Sequence, residues 1–122
     1  MRIGQFIQSI DVTAGGTSTA FLGTLAALRT RSALSVRAFA SRPVDGDSSW
    51  AQVNANPDSF TLVSGYGSGL SPGALGRAVV ADVLARKIDL LHIHGLWSPD
   101  LLAAGQACRK AGIPLVWEPH GM

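Results

Sequence analysis

The chain has 122 residues, of which 47% are hydrophobic and 15% charged. This length suits one small domain, and the composition favours a buried core over a disordered segment. The net charge is +2 and the ten Lys and Arg residues are scattered from Arg2 to Lys110, which excludes a basic nucleic-acid-binding patch and leaves only a weak preference for an acidic membrane surface.

A single cysteine, Cys108, rules out an intramolecular disulfide, so nothing in the sequence indicates an oxidising compartment. Residues 1–10 lack the sustained apolar run of a signal peptide or a membrane-spanning helix. We therefore expect a cytoplasmic protein whose chain begins with a strand.

Short apolar stretches predict strands at residues 2–10, 35–40, 60–63, 88–93 and 113–117. Helical spacing and caps predict helices from about residue 17 to 31, from Ser71-Pro72 to Lys87, and from Ser98 to a stop at Gly112. Turn-forming residues dominate 42–58, which we interpret as a variable loop without regular elements. This order predicts an α/β fold, a Rossmann-like parallel sheet with flanking helices, and ligands at the carboxyl ends of its strands.

A glycine pair, Gly15-Gly16, precedes Thr17 between the first strand and the first helix. Such a loop leaves backbone N–H groups open to a phosphate or a sugar, although the same glycines also suit a simple tight turn. The pattern is neither a dinucleotide GxGxxG motif nor a Walker loop. A second glycine-rich stretch at 65–69 is interpreted as a flexible linker.

Two histidines, His92 and His94, are two residues apart on a predicted strand and therefore point to the same face. This is the spacing of an HxH metal site, and a metal-dependent hydrolase is one alternative. With three histidines in the chain and no matching group of carboxylates recognised, we expect no metal. Farther along, Glu118 and His120 follow a predicted strand, and His120 is the best single candidate for contact chemistry, with an exposed turn as the other interpretation.

Residues 89–99 read DLLHIHGLWSP and residues 113–122 read IPLVWEPHGM. Together with the early Gly-Gly loop, they resemble family 4 glycosyltransferases, in which a strand reads D-[IV]-[VL]-H-x-H-G-L-W and the next reads I-P-x-V-x-x-P-H-G-M. The resemblance spans nearly all of residues 1–122 and is loose only at 42–70. It implies that the chain is part of the N-terminal, acceptor-side domain of a two-domain GT-B enzyme.

That resemblance implies sugar transfer, with retention, from a nucleotide-diphosphate donor to a glycan or lipid-linked acceptor, with no cofactor. It implies that His120 lies beside the transferred sugar as the catalytic residue. The substrate-binding residues that we carry over or infer beside it are Gly15, Gly16 and Thr17 near the donor, and His94, Trp97 and Glu118 around the cleft. Glu118 departs from the family, which often has a small or neutral residue there.

The family continues beyond this motif into a second Rossmann-like domain that holds the donor. The resemblance therefore predicts a partial first domain that lacks the donor lobe and is inactive alone, in a cytoplasmic enzyme with possible peripheral contact at the inner face of the membrane. A non-enzymatic sugar-binding α/β module is the principal alternative.

Overall fold

One five-stranded sheet forms the centre of the molecule. The computed structural model describes residues 1–12, 15–65, 67, 71–96 and 98–119. The sheet order is β3-β2-β1-β4-β5 and every neighbouring pair is parallel, which confirms the predicted α/β class and Rossmann-like sheet. Its strands are β1 (Arg2–Ser9), β2 (Ser35–Ser41), β3 (Phe60–Leu62), β4 (Leu90–His94) and β5 (Leu115–Glu118).

Four helices cover the two faces of the sheet: α1 (Gly16–Arg29), α2 (Trp50–Ala55), α3 (Ala74–Leu84) and α4 (Pro99–Ala111). Alternate residues of a strand point to opposite faces, so Phe6 joins the core under α3 and α4, while its neighbour Ile7 joins the core under α1 and α2. Both side chains are almost completely buried. The sheet is thus packed on both faces, as its apolar strands require.

Within residues 42–58, where no regular element was predicted, the structure forms α2 and begins a short 3-10 turn. Contacts distant in sequence explain the difference. Asp47 accepts the N–H groups of Ser49 and Val12, at 2.9 and about 3.1 Å, and Val53 is buried in the core. A turn-rich sequence therefore folds into a short helix because the rest of the domain anchors it.

The start of α3 also differs from the sequence prediction. The helix begins at Ala74, with Gly73 as its N-cap, and Ser71-Pro72 does not cap it. The N–H of Gly73 donates to Asp100 Oδ1 at 2.6 Å, so a carboxylate from α4 fixes the start of α3. The other end, Leu84, comes before the predicted Lys87 because Arg86 adopts a left-handed conformation with φ 56°.

The predicted ends of α4 are confirmed. Ser98 is the N-cap and its Oγ accepts the N–H of Asp100 at 3.2 Å, with Pro99 in the first turn. Gly112 closes the helix in the left-handed conformation, φ 70°. Most of the stretch at 65–69 lies outside the described residues. In the part of the chain that the structure describes, no helix is long and apolar enough to cross a bilayer.

Candidate functional site

Three chain segments meet at the carboxyl edge of the sheet. β1 leads into the turn at Gly15-Gly16, β4 ends at His94, and β5 ends at Glu118. Because β1 pairs with β4, β4 pairs with β5, and both pairs are parallel, these ends lie along one edge. The glycine pair with Thr17, His94 and Glu118 thus lie along this one edge. The remaining two predicted residues, Trp97 and His120, lie outside the described residues.

The glycine turn is open on its outer side. Gly15 has φ 95° and ψ −160°, a conformation that is essentially restricted to glycine. A Cβ built on either Gly15 or Gly16 meets no atom within 4 Å, and both residues are exposed, with Thr17 half-buried. No side chain of the described residues caps α1. The first-turn N–H groups of a helix have no intrahelical acceptor, and without a side-chain cap those of α1 have a geometry that can accept an anion.

The ends of β4 and β5 are bound to each other just beyond the last ladder pair. Gly95, which has φ 107°, donates its N–H to the carbonyl of Glu118 at 2.8 Å. Its own carbonyl accepts the indole N–H of Trp117. The Trp117 ring lies against α4, where a Cβ added to Gly105 would be 2.7 Å from the ring. This packing fixes the position of Glu118 beside β4.

A row of polar side chains crosses the sheet below this edge. Gln5 on β1 lies beside His92 in register, and His94 lies beside Glu118. Gln5 Nε2 is 3.2 Å from His92 Nδ1, and Gln5 Oε1 is 2.7 Å from His94 Nε2. His92 Nε2 is 2.6 Å from Glu118 Oε1. Gln5 therefore connects both imidazoles, and His92 connects them to the carboxylate.

Burial differs sharply along this row. Gln5 and His94 are each 1% exposed, and the Phe21 ring of α1 packs edge-on against His94 at 4.9 Å. The His92 side chain is 12% exposed and that of Glu118 is 47% exposed. Solvent and ligands therefore meet Glu118 first. His94, a predicted substrate-binding residue, is covered in the structure, and its ring does not face solvent.

His92, His94 and Glu118 together offer the atoms of a metal site, with one ligand atom from each lying within 4.8 Å of the others. The sequence prediction of two histidines on one face is confirmed, since their rings are 4.1 Å apart. The sequence analysis did not place Glu118 beside these two histidines, and it did not identify Gln5 as part of the site. Both could have been found only by aligning strands 1, 4 and 5 in the correct register.

Gln5 argues against a preformed site with all three ligands. Its amide offers one donor group and one acceptor, and each faces a different imidazole. One of the two histidines thus accepts a hydrogen bond from the Gln5 amide, at the ring nitrogen that faces Gln5. That ring carries its proton on its other nitrogen, and a protonated nitrogen cannot bind a metal. Turning the amide over exchanges the roles of the two rings and leaves the same conflict.

The chain was compared with protein-family models, curated proteins and solved structures. None of these comparisons found a match. The assignment of a function therefore depends on the motifs and on the geometry of the carboxyl edge.

A hollow of about 490 Å³ lies at the opposite, amino-terminal edge of the sheet. Both arginines that line it already have partners: Arg2 pairs with Asp89 at 2.9 Å, and Arg37 donates to Thr61 Oγ1 at 3.0 Å. Parallel sheets bind ligands at the other edge. We therefore place the candidate site at the carboxyl edge.

Proposed function

We propose that the chain is an acceptor-side domain of a glycosyltransferase similar to family 4, and that it binds a sugar acceptor and part of a nucleotide-sugar donor at the carboxyl edge of its sheet. One observation carries the proposal: the uncapped, open glycine turn before α1 and the polar ends of β4 and β5 lie along the same edge. A cytoplasmic location with peripheral contact at the inner face of the membrane belongs to the same proposal.

The chemistry of glycosyl transfer suits this arrangement. Negative charge develops on the leaving diphosphate, which N–H groups at a helix N-terminus stabilise. The acceptor is a polyhydroxylated molecule, and carboxylate and imidazole groups bind hydroxyls by hydrogen bonds. Gly15 and Gly16 would therefore face the donor, and Glu118 would face the sugars. His120 and Trp97 are assigned to the site by the resemblance alone.

Binding by this chain is the direct test, since the resemblance assigns turnover to two lobes together. In an NMR titration of the ¹⁵N-labelled chain with UDP-glucose and GDP-mannose, we expect the amide signals of Gly15, Gly16 and Thr17 to shift. Maltose, used as a probe glycan, is expected to shift the signals of Gly95 and Glu118. Absence of both responses at millimolar ligand would contradict the proposal.

A charged substitution separates folding from binding. Gly16→Asp places a negative charge in the first turn of α1, where it stabilises the helix but repels a diphosphate. We expect nucleotide-sugar binding to weaken about tenfold or more, with no loss of thermal stability. Gly23→Asp makes the same change of charge at an open, exposed position two turns farther along the same helix, and should leave binding nearly unchanged.

The alternative function, a non-enzymatic sugar-binding module, predicts a different result in the same titration. Such a module should respond to maltose and show no response to UDP-glucose, GDP-mannose or inorganic pyrophosphate. Equal nucleotide-sugar binding by Gly16→Asp and the unsubstituted chain would likewise remove the glycine turn from the site.

A further inference from the structure

The contact between His92 and Glu118 sets the position of one proton. At 2.6 Å, Nε2 of His92 and Oε1 of Glu118 repel each other unless a proton lies between them. His92 Nε2 is buried and meets no described group in hydrogen-bond geometry, although the Glu118 oxygen lies beside it. A proton shared between the two atoms therefore requires the half-exposed Glu118 side chain to turn.

The remaining hydrogen bonds follow from that proton. If the His92 ring carries a single proton and that proton is on Nε2, its Nδ1 is an acceptor, and the 3.2 Å contact then makes the N–H of the Gln5 amide the donor. The amide oxygen of Gln5 then faces His94 and accepts its Nε2–H at 2.7 Å. The donors thus run in one direction, from His94 through Gln5 and His92 to Glu118.

We propose that Gln5 is a positioning residue of the ligand site: it orients this directed chain, whose terminal carboxylate, Glu118, accepts a hydroxyl group of a carbohydrate ligand. The inference rests on the proposed function and extends it to a residue that the resemblance does not assign. An ionised carboxylate has about four acceptor positions and donates nothing, so it can bind sugar hydroxyls beside His92. The main-chain bond from Gly95 holds Glu118 at the edge where such a ligand arrives.

The position of each ring proton can be measured directly. In ¹⁵N NMR of the folded chain, we expect both His92 and His94 to carry a proton on Nε2 and none on Nδ1. This measurement uses the unsubstituted protein, so it does not depend on the folding of a variant. A proton on Nδ1 of His92 would overturn the inference, because the chain would then run the other way or stop at Gln5.

Gln5→Glu tests the role of the amide. A carboxylate at this position only accepts, so the His92 proton is expected to move to Nδ1, and Nε2 then has no proton to donate to Glu118. Maltose binding should weaken about tenfold, the effect of losing one hydrogen bond to a charged group. Gln106→Glu makes the same substitution at an exposed position on α4 and should change neither the imidazole signals nor the binding.

Two further outcomes separate the inference from the proposed function. Equal maltose binding by Gln5→Glu and the unsubstituted chain would overturn the inference while leaving sugar binding intact. If the unsubstituted chain binds neither sugars nor nucleotide sugars, the proposed function fails, and the hydroxyl-binding part of the inference fails with it, whatever the ring protons show. Stoichiometric Zn²⁺ binding that is lost in His92→Gln would also overturn the inference, because coordination needs an unprotonated Nε2.

Discussion

Gly105→Ala provides a quantitative test of the packing that positions β5. A methyl group at this position would lie 2.7 Å from Cζ3 and 3.3 Å from Cη2 of the Trp117 ring, which is too close for a rigid aromatic neighbour. Overpacking of this kind costs about 1–3 kcal/mol. Replacing a helix-interior glycine by alanine returns about 0.5–1 kcal/mol. We therefore expect urea denaturation to show a net loss of roughly 1–2 kcal/mol in the free energy of unfolding.

Gly23→Ala is the matched control, because it is also inside a helix and a Cβ there meets no atom within 4 Å. It should stabilise the chain by about 0.5–1 kcal/mol. The double variant Gly105→Ala/Trp117→Leu should show a favourable coupling, since removing the ring removes the clash. Equal stability of Gly105→Ala and Gly23→Ala would refute the close packing of Trp117 on α4, and with it the explanation for the position of Glu118.

Three other predictions concern Asp100, Asp89 and Cys108. Asp100 is completely buried and accepts the N–H groups of Gly67 and Gly73 at about 3.0 and 2.6 Å. Asp100→Asn should therefore lower the free energy of unfolding by about 2–3 kcal/mol. The control Asp45→Asn, at an exposed position, should leave it unchanged, and equal effects of the two substitutions would contradict this role of Asp100. Hydrogen bonds from Arg2 lower the pKa of Asp89 to about 2. The contribution of this pair to folding stability is therefore complete above the ordinary carboxyl pKa and is lost as the pH falls to about 2. In Asp89→Asn, the free energy of unfolding should change less between about pH 4 and pH 2 than in the unsubstituted chain, and an identical pH dependence would contradict the pairing. Burial raises the pKa of the Cys108 thiol to about 11. Iodoacetamide should therefore label this thiol at pH 8 only when urea unfolds the chain. Rapid labelling of the folded chain would contradict the burial of Cys108 on α4.

Local patterns in the sequence were sufficient for the elements that carry their own signals. Ser98 and Pro99 begin α4 and Gly112 ends it because capping depends on neighbours within one turn. The common face of His92 and His94 follows from the two-residue period of a strand. The alternation of strands and helices likewise predicted a parallel sheet and the edge at which its loops gather.

Elements that depend on distant partners could not be predicted in this way. α2 forms among turn-forming residues because Val53 is buried in the core, and α3 begins late because Gly73 is bonded to Asp100, 27 positions away. Neither partner is visible to a local pattern. Such contacts override local propensity because the free energy of each contact exceeds the small free-energy differences between local conformations.

The sequence by itself determined the fold class, the order of the five strands and of the three longer helices, and the edge of the sheet at which a ligand is expected. Only the tertiary structure decided which polar groups meet there. Gln5 and His92 are separated by 87 positions, and they are neighbours because β1 pairs with β4 in one register and not another. A shift of that register by one residue would turn the opposite face of β1 towards His92 and replace the amide of Gln5 with Gly4 or Phe6, neither of which has a polar side chain.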